Sequence, residues 1–282
     1  ALEETRRAKA AEAAQRAKAE QAESDTLADY RASTDDAIEQ LIGSKPALGP
    51  QEKAYLEKTL QRWKVLADRQ GTDERSQAIR AEGYHRVATL WQPLGQADKA
   101  RTAYETARDL RKTLADAHPT VSAYQQDLAT TLNNLGFLLA DLGERDEART
   151  AYEAARDLQQ KLVHNCPAVL EYQRDLAGSH LNLGNLLRRS EKADEARTAY
   201  ETARDLFKKL ADANPADPVC RYNLANTCNS FGVLLRNLGK PDEARTVHET
   251  ARHLQEKLVQ DFPAVPAYQC ELATTHNNLG NL

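Results

Sequence analysis

A 48-residue repeat runs through most of the 282-residue chain. Three sets of residues recur at this spacing: the glycines Gly136, Gly184, Gly232 and Gly280, the alanines Ala100, Ala148, Ala196 and Ala244, and the prolines Pro119, Pro167, Pro215 and Pro263. A fixed period of this size indicates a solenoid, in which each unit buries its apolar face only against its neighbours. Solenoids of this kind usually present an extended surface to a partner.

Each repeat unit has the pattern of a helical hairpin. In one unit, small and apolar residues recur at helical spacing on two successive segments: Ala129, Leu132, Leu135 and Leu139, and then Ala148, Ala151, Ala155, Leu158 and Leu162. Leu142-Gly143 ends the first segment and Cys166-Pro167 ends the second. The sequence therefore predicts two helices of about 18 to 21 residues in every unit.

Composition narrows the class of protein. The net charge of -4 argues against nonspecific nucleic-acid binding, which requires a basic face. Charged residues make up 28% and aromatic residues 6%, a balance typical of long helices. The sequence has no run of about 18 apolar residues, so we expect no membrane insertion in this fragment.

The residues before the regular units divide into two predicted segments. Residues 1–24 are rich in Ala, Glu, Arg and Lys and predict a charged, solvated helical stalk. Residues 25–75 predict a degenerate capping repeat. Within it we expect a helix over about 25–41, capped by Ser24 or Asp25 and ended at Gly43, and a second from Pro50 to Gly71.

The predicted solenoid covers residues 76–282, in units at about 76–123, 124–171, 172–219, 220–267 and a partial unit at 268–282. Its four cysteines are Cys166, Cys220, Cys228 and Cys270. Cys220 and Cys228 are about 12 Å apart by helical rise, which is too far for a disulfide. We expect free, mostly buried thiols.

The repeat resembles the tetratricopeptide (TPR) family. Leu132-x2-Leu135-Gly136-x2-Leu139 and Ala148-x3-Tyr152 match the two parts of the family pattern. Pro167 falls seven residues later than the family's proline, so each helix is longer than a TPR helix by about one heptad. The resemblance implies an all-α, right-handed helical-hairpin solenoid, here preceded by the stalk.

The long unit is similar to kinesin-light-chain-type repeats and resembles the repeat region of planctomycete-type serine/threonine protein kinases. That resemblance implies a bacterial, kinase-associated fragment, although the chain contains none of the kinase signature motifs. It implies a cytoplasmic location, or an extracytoplasmic one if a membrane helix precedes the fragment.

The resemblance also implies that the first helix of each hairpin lines a concave groove. Carried over by position, the predicted peptide-binding residues are Arg86, Asn133, Asn134, Phe137, Asn182, Asn185, Arg188, Arg189, Asn229, Arg236, Asn237, Asn277 and Asn278. Asparagine carries donors and an acceptor that suit a peptide backbone, and arginine suits carboxylates and phosphates. The alternative is that these asparagines bond to neighbouring helices or face water, since duplication alone produces such a series.

Two further series occur on the second helices. Tyr104, Tyr152 and Tyr200 stand at the family's aromatic core position. Four arginines follow the alanine series and predict ion pairs within the array: Arg101, Arg149, Arg197 and Arg245.

No pattern points to catalysis or a cofactor. His180, Cys228 and His276 share one repeat position, but neighbouring helices about 8 to 10 Å apart cannot easily bring them to one ion. Packing positions are favoured over a metal site. No nucleophile, paired-carboxylate or HExxH arrangement stands out, so we expect neither an enzyme nor a cofactor.

The function that this sequence favours is a protein-interaction module, part of a larger regulatory or sensor protein, that binds an extended peptide or a partner helix in a concave groove. The alternative is a structural spacer or oligomerisation arm of a receptor-like serine/threonine kinase, with no ligand of its own. Self-association through the stalk or the last helix is a further expectation.

Overall fold

The computed structural model describes residues 2–37 and 48–282, and these residues form eleven α-helices and no β-strand. The helices are α1 (Leu2–Ala37), α2 (Pro50–Ala67), α3 (Glu74–Trp91), α4 (Ala97–Ala117), α5 (Ser122–Asp141), α6 (Arg145–Asn165), α7 (Leu170–Arg189), α8 (Ala193–Ala213), α9 (Pro218–Asn237), α10 (Pro241–Asp261) and α11 (Pro266–Gly280).

The regular part of the chain is a series of antiparallel helical hairpins. Hairpin 1 is α3–α4, hairpin 2 is α5–α6, hairpin 3 is α7–α8 and hairpin 4 is α9–α10, and α11 packs against α10 and α9. The helices of hairpins 1 to 4 are 18 to 21 residues long. The predicted all-α solenoid of helical hairpins is confirmed.

A left-handed residue closes the turn inside each hairpin. Gly143 has φ +84° and Gly239 has φ +70°, values that glycine adopts without the steric cost borne by other residues. Hairpin 3 has Glu191 at the same repeat position, with φ 58°. The turn geometry is therefore conserved along the array even where glycine is absent.

The two helices of a hairpin cross where a glycine faces an aromatic ring. A Cβ atom on Gly184 of α7 would lie 2.8 Å from the ring of Tyr200 in α8, and a Cβ on Gly136 would lie 2.9 Å from that of Tyr152. Both tyrosines are buried. In hairpins 2 to 4 the glycine thus marks a close approach of the two helices, and the tyrosines fill the core as predicted.

The array has an inner and an outer side. Neighbouring first helices contact one another, α5 with α7, α7 with α9 and α9 with α11, whereas neighbouring second helices lie farther apart. The first helices therefore line the inner side of the curve and the second helices line its outer side.

Ion pairs connect the second helices on the outer side. Arg101 bonds Glu147 at 2.8 Å, Arg149 bonds Glu195 at 2.7 Å and Arg197 bonds Glu243 at 3.1 Å. The predicted ion pairs are present for these three arginines and join consecutive hairpins, whereas Arg245 is exposed and forms no ion pair within the described residues. Each pair is partly exposed, so its contribution to the stability of the array is small.

The N-terminal region differs from its prediction. One continuous helix, α1, covers the predicted stalk and the helix that was expected to begin at Asp25. Ser24 and Asp25 therefore cap nothing, and the Asp25 carboxylate instead accepts a bond from Gln21 within the helix at 2.8 Å. Strong helix formers run through the segment, and no residue breaks it. Gly43 lies outside the described residues.

The second half of α1 packs as part of the array. Leu27 and Thr34 are buried, and the indole N–H of Trp63 in α2 donates to the Thr34 hydroxyl at 2.7 Å. Arg31 forms two 2.5 Å bonds with Glu82 of α3. These contacts make α1 and α2 a helical pair that covers hairpin 1.

Helix α2 ends at Ala67 rather than at Gly71. A Cβ on Gly83 of α3 would lie 2.6 Å from the backbone nitrogen of Ala67, so the two backbones touch at this point. The chain then turns through Gly71, at φ +135°, and Asp73 caps α3 by accepting from the Ser76 N–H at 3.0 Å.

Gly184→Leu tests the crossing, because its side chain must displace the buried Tyr200 ring. We expect it to lower the free energy of unfolding by at least about 1 kcal/mol, the usual cost of overpacking. Gly178→Leu is the matched control: it is the same change in the same helix, and a Cβ there meets nothing within 4 Å. Urea denaturation measures both, and equal stabilities would contradict the crossing.

Candidate peptide-binding groove

Buried polar side chains join consecutive hairpins beneath the inner side. At the interface of hairpins 2 and 3, the Asn133 amide donates to the Ser179 hydroxyl at 2.7 Å, and Ser179 donates to the Gln159 carbonyl at 2.5 Å. Ser179 and Gln159 are buried. The three residues form a polar triad, with one member on each of α5, α6 and α7.

The same triad recurs where hairpin 4 meets α11. The Asn229 amide donates to the Thr275 hydroxyl at 2.5 Å, and Thr275 donates to the Gln255 carbonyl at 2.5 Å. Between hairpins 1 and 2, Arg111 donates to Thr131 at 2.5 Å and to the Asp127 carbonyl at 2.8 Å. The Thr131 hydroxyl also lies 3.3 Å from the His85 ring nitrogen.

The interface between hairpins 3 and 4 replaces the triad by apolar residues. Leu181 stands where Asn133 and Asn229 stand, and Phe207 stands where Gln159 and Gln255 stand. The remaining hydroxyl, on Thr227, bonds back to the carbonyl of Asn223 in its own helix at 2.7 Å. The two partners change together, so neither the asparagine nor the glutamine of the triad has an unpaired equivalent at this interface.

Four of the predicted groove residues also bond within the protein. Asn229 is only 7% exposed, and both Asn133 and Asn229 use their amide groups to hold the next first helix. Asn185 accepts a bond from the Tyr200 hydroxyl at 2.8 Å. Arg86 forms an ion pair with Asp35 of α1 and lies over the Trp63 ring. These four side chains bind the protein itself.

Predicted residues also face a cavity on the inner side. A groove of about 370 Å³ runs along α5, α7 and α9, and its lining includes Asn133, Asn134, Gly178 and Asn182. The Asn182 side chain is partly exposed and has no hydrogen bond to the described residues. Asn134 contacts the His85 ring at 3.4 Å.

A second cavity of about 480 Å³ continues along α7, α9 and α11. Among the predicted residues, Asn185, Arg188, Asn229 and Asn278 line it. Ser230 and Asn278 form no side-chain hydrogen bond within the described part of the chain. Phe137 is 53% exposed on α5, and Arg189, Asn237 and Asn277 are exposed near the C-terminal ends of their helices. Arg236 is partly exposed on α9.

The sequence analysis missed the groove residues nearer the N-terminal ends of the first helices. These are Thr130, Arg174, Asp175, Asn223, Asn226, Glu271 and Thr274. Their signal was present, since several lie one or two helical turns before the predicted asparagines on the same helix. The prediction considered only the residues that flank the small residue at the helix crossing.

The groove carries charges of both signs: Arg174 and Asp175 line its first cavity and lie 3.8 Å apart, and Arg188 and Glu271 line its second cavity. Burial raises the pKa of the Asp175 carboxyl, with Arg174 acting in the opposite direction, and burial also raises the pKa of Glu271. Each carboxylate is therefore poorly hydrated where it lies. A cationic group brought into the groove would favour the ionised forms.

Hairpin 4 carries a histidine in place of the core tyrosine. His248 is fully buried, its Nδ1 lies 2.9 Å from the Asn229 carbonyl, and its Nε2 has no partner. A Cβ on Gly232 would lie 2.5 Å from that Nε2. Burial, followed by the charge of Arg236, lowers the pKa of His248.

The three residues considered for a metal site lie on different first helices. His180 is on α7, Cys228 is buried in α9 and His276 is exposed on α11. Across residues 2–37 and 48–282, no group of three His, Cys, Asp or Glu side chains could hold a metal ion.

The cysteines in the described residues are free; Cys220 and Cys228 are buried, and Cys270 is exposed. Within those same residues, no helix is both long enough and apolar enough to cross a membrane.

Residues 127–181 and 224–264 match family models for the tetratricopeptide repeat. The tetratricopeptide-repeat match is limited to these two segments of the chain. These two segments cover parts of hairpins 2 and 3 and most of hairpin 4, so the predicted TPR resemblance is confirmed there. No curated protein matches the sequence.

Solved structures share this TPR-like architecture. BtubC (BKLC) from P. vanneervenii is 20% identical over 74% of this chain and 73% of its own, with a TM-score of 0.55. The apo form of RapI is 13% identical, the match covers 85% of this chain and 74% of RapI, and the TM-score is 0.56. A putative kinesin light chain from Podosopora anserina with TPR-like repeats is 18% identical. The match covers 82% of this chain and 95% of that protein, with a TM-score of 0.48. At these identities the first two establish the fold alone.

Asn133→Leu tests the triad, because it removes the donor to Ser179 beside the buried Gln159. We expect a loss of about 1 to 3 kcal/mol in the free energy of unfolding. Asn133→Leu combined with Gln159→Phe reproduces the pair found at the next interface, and we expect it to recover at least half of that loss. Urea denaturation of the single and double variants measures the coupling. Simply additive losses would contradict the triad.

His248 makes stability depend on pH. Its pKa is lowered in the folded state, so the unfolded chain takes up the proton first, and stability falls as pH drops below about 6.5. His85 and His180 act in the same direction, and burial lowers the pKa of His180 to about 4.

His248→Tyr restores the residue of the other hairpins, and we expect the melting temperature to fall less between pH 7.5 and 5. His253→Tyr, at an exposed position of the same helix, is the control and should leave the pH dependence unchanged. An identical pH profile for wild type and His248→Tyr would contradict this role.

Proposed function

We propose that this chain is a protein-interaction scaffold that binds an extended peptide along the inner groove. The observation that carries the proposal is the pair of cavities lined by polar side chains without protein partners. Asn182 in the first cavity, and Ser230 and Asn278 in the second, form no side-chain hydrogen bond within the described residues. Other asparagines already hold the array together, which leaves these free to bind a ligand.

The spacing of the free side chains suits an extended backbone. Asn182, Ser230 and Asn278 occupy one repeat position on α7, α9 and α11. Neighbouring packed helices lie about 8 to 10 Å apart. An extended peptide advances about 3.3 Å per residue, so one groove side chain meets about every third peptide residue. An amide or hydroxyl at each position can donate to a peptide carbonyl, which needs no particular peptide side chain.

The charges and the exposed ring define the preferred peptide. Glu271, which forms no ion pair within the described residues, favours a basic side chain near the N-terminal end of α11, and Arg188 favours an acidic one farther along α7. Phe137 offers an apolar contact beside the groove. The partner is therefore a polar peptide of mixed charge that carries at least one basic residue.

A second candidate function is a spacer or oligomerisation arm within a larger receptor-like serine/threonine kinase. The observation that favours it is α1, one unbroken helix of 36 residues with its first two dozen positions mostly exposed. A helix of this length spans about 54 Å. This role is compatible with peptide binding, because it uses a different part of the chain.

Random 12-residue peptides displayed on phage, selected against the intact chain, test the proposed function. For a selected peptide, we expect Asn182→Ala to weaken binding about fivefold or more, the value of one hydrogen bond. Gly178→Leu should weaken it further, because a side chain there enters the groove. Calorimetry measures both affinities.

Gln160→Ala, an amide removal on the exposed side of α6, is the matched control and should bind like wild type. Thermal melting first establishes that the variants are folded. Selected peptides that bind all variants equally, or no selected peptide at all, would refute the inner groove as the binding site.

A further inference from the structure

One junction on the outer side breaks the charge pattern of the array. Between hairpins 1 and 2, 2 and 3, and 3 and 4, an arginine of one second helix pairs with a glutamate of the next. The equivalent residues at the junction of α2 and α4 are Lys53 and Lys99. Two lysines stand where every later junction has an ion pair.

The same junction is open and aromatic. Trp91 occupies the repeat position of Leu139, Leu187 and Leu235, which are buried, but Trp91 is partly exposed. It lies in a groove of about 460 Å³ between α2 and α4, with Tyr84, Val87, Ala67 and Ala103 also in its lining. Trp91 and Tyr84 are thus partly accessible from the outer side, whereas Val87, Ala67 and Ala103 are buried.

Two lysine ammonium groups border this apolar floor. Lys64 Nζ of α2 lies 5.0 Å from the Trp91 ring centroid, and Lys99 Nζ of α4 lies 4.7 Å from it. Asp68 and Asp98 also line the groove, yet neither pairs with these lysines within the described residues. In the other hairpins, by contrast, the residues equivalent to Lys64 include Lys112 and Lys208, and both are ion-paired.

We propose that this groove is a second docking site, separate from the inner groove, for an acidic peptide segment that carries an apolar side chain. The apolar side chain packs on Trp91 and Tyr84. A neighbouring carboxylate pairs with Lys99 and Lys64.

Charge decides against a nucleic acid in this groove. Only two lysines face it, two aspartates share its lining, and the whole chain has a net charge of -4. A phosphate backbone requires a more extended basic surface. One or two peptide carboxylates match two ammonium groups.

Binding of fluorescein-labelled peptides to the intact chain tests the proposal. The probes are octapeptides that alternate Glu or Asp with Leu or Phe, each matched by a version with Lys in place of the acid. We expect saturable binding of acidic members, weakening as salt rises, and none of the Lys versions. Trp91 fluorescence should change on binding.

Substitutions that introduce the residues of later repeats at this groove locate the binding site. Lys99→Glu, which restores the residue of later junctions, should weaken binding at least tenfold, and Trp91→Leu should do so as well. Lys161→Glu, the same charge change at an exposed position of α6, should have no effect. Lys99 is exposed, so Lys99→Glu remains decisive even if Trp91→Leu is unstable.

Several results would overturn the proposal. These are no binding by any acidic peptide up to millimolar concentration, and binding that Lys99→Glu leaves unchanged. Equal binding of a single-stranded dT12 oligonucleotide at this groove would assign it to nucleic acid. Self-association that Lys99→Glu abolishes would assign it to a second copy. Loss of binding in Gly178→Leu, with Lys99→Glu unaffected, would return the peptide to the inner groove.

Discussion

The close crossing of the two helices in each hairpin is the constraint on which the array depends. Gly136 and Gly184 let an aromatic ring of the second helix lie directly on the first helix. Because every hairpin crosses at the same repeat position, each offers the next a surface of the same shape. In hairpin 1 the position holds Ala88 opposite Tyr104, and in hairpin 4 the ring is His248. The crossing therefore tolerates a different combination of small residue and ring more readily than a larger residue at the glycine position alone.

Between hairpins, buried hydrogen bonds determine which side chains remain available for a ligand. A triad such as Asn133, Ser179 and Gln159 fixes the register of one hairpin on the next, because an unpaired amide there would lose its hydration without compensation. At the interface between hairpins 3 and 4, Leu181 and Phe207 replace the two amides of the triad, so the contact there is apolar. Asparagines of one repeat series thus have a structural role, and the adjacent series, at Asn182 and Asn278, faces the groove.

Periodicity predicted the hairpins, their helix lengths, their turns and the outer ion pairs, because these features repeat with the sequence. It did not separate Asn133 from Asn134. Both lie on α5 one position apart, and only the packing of α7 decides which amide meets Ser179. It also divided α1 at Asp25, because a capping residue is visible in sequence whereas the tertiary contacts of Leu27 and Thr34 are not. The groove at Trp91 went unnoticed, since it arises where the repeat pattern is broken.

Hydrogen exchange of the asparagine side-chain amides, followed by NMR on the free protein, tests the division of the asparagines most directly. Our account predicts slow exchange at Asn133 and Asn229, whose amides are held by buried hydroxyls, and fast exchange at Asn182 and Asn278. Uniformly fast exchange across the four would show that the triads do not form in solution. Uniformly slow exchange would show that no asparagine is free to bind a peptide.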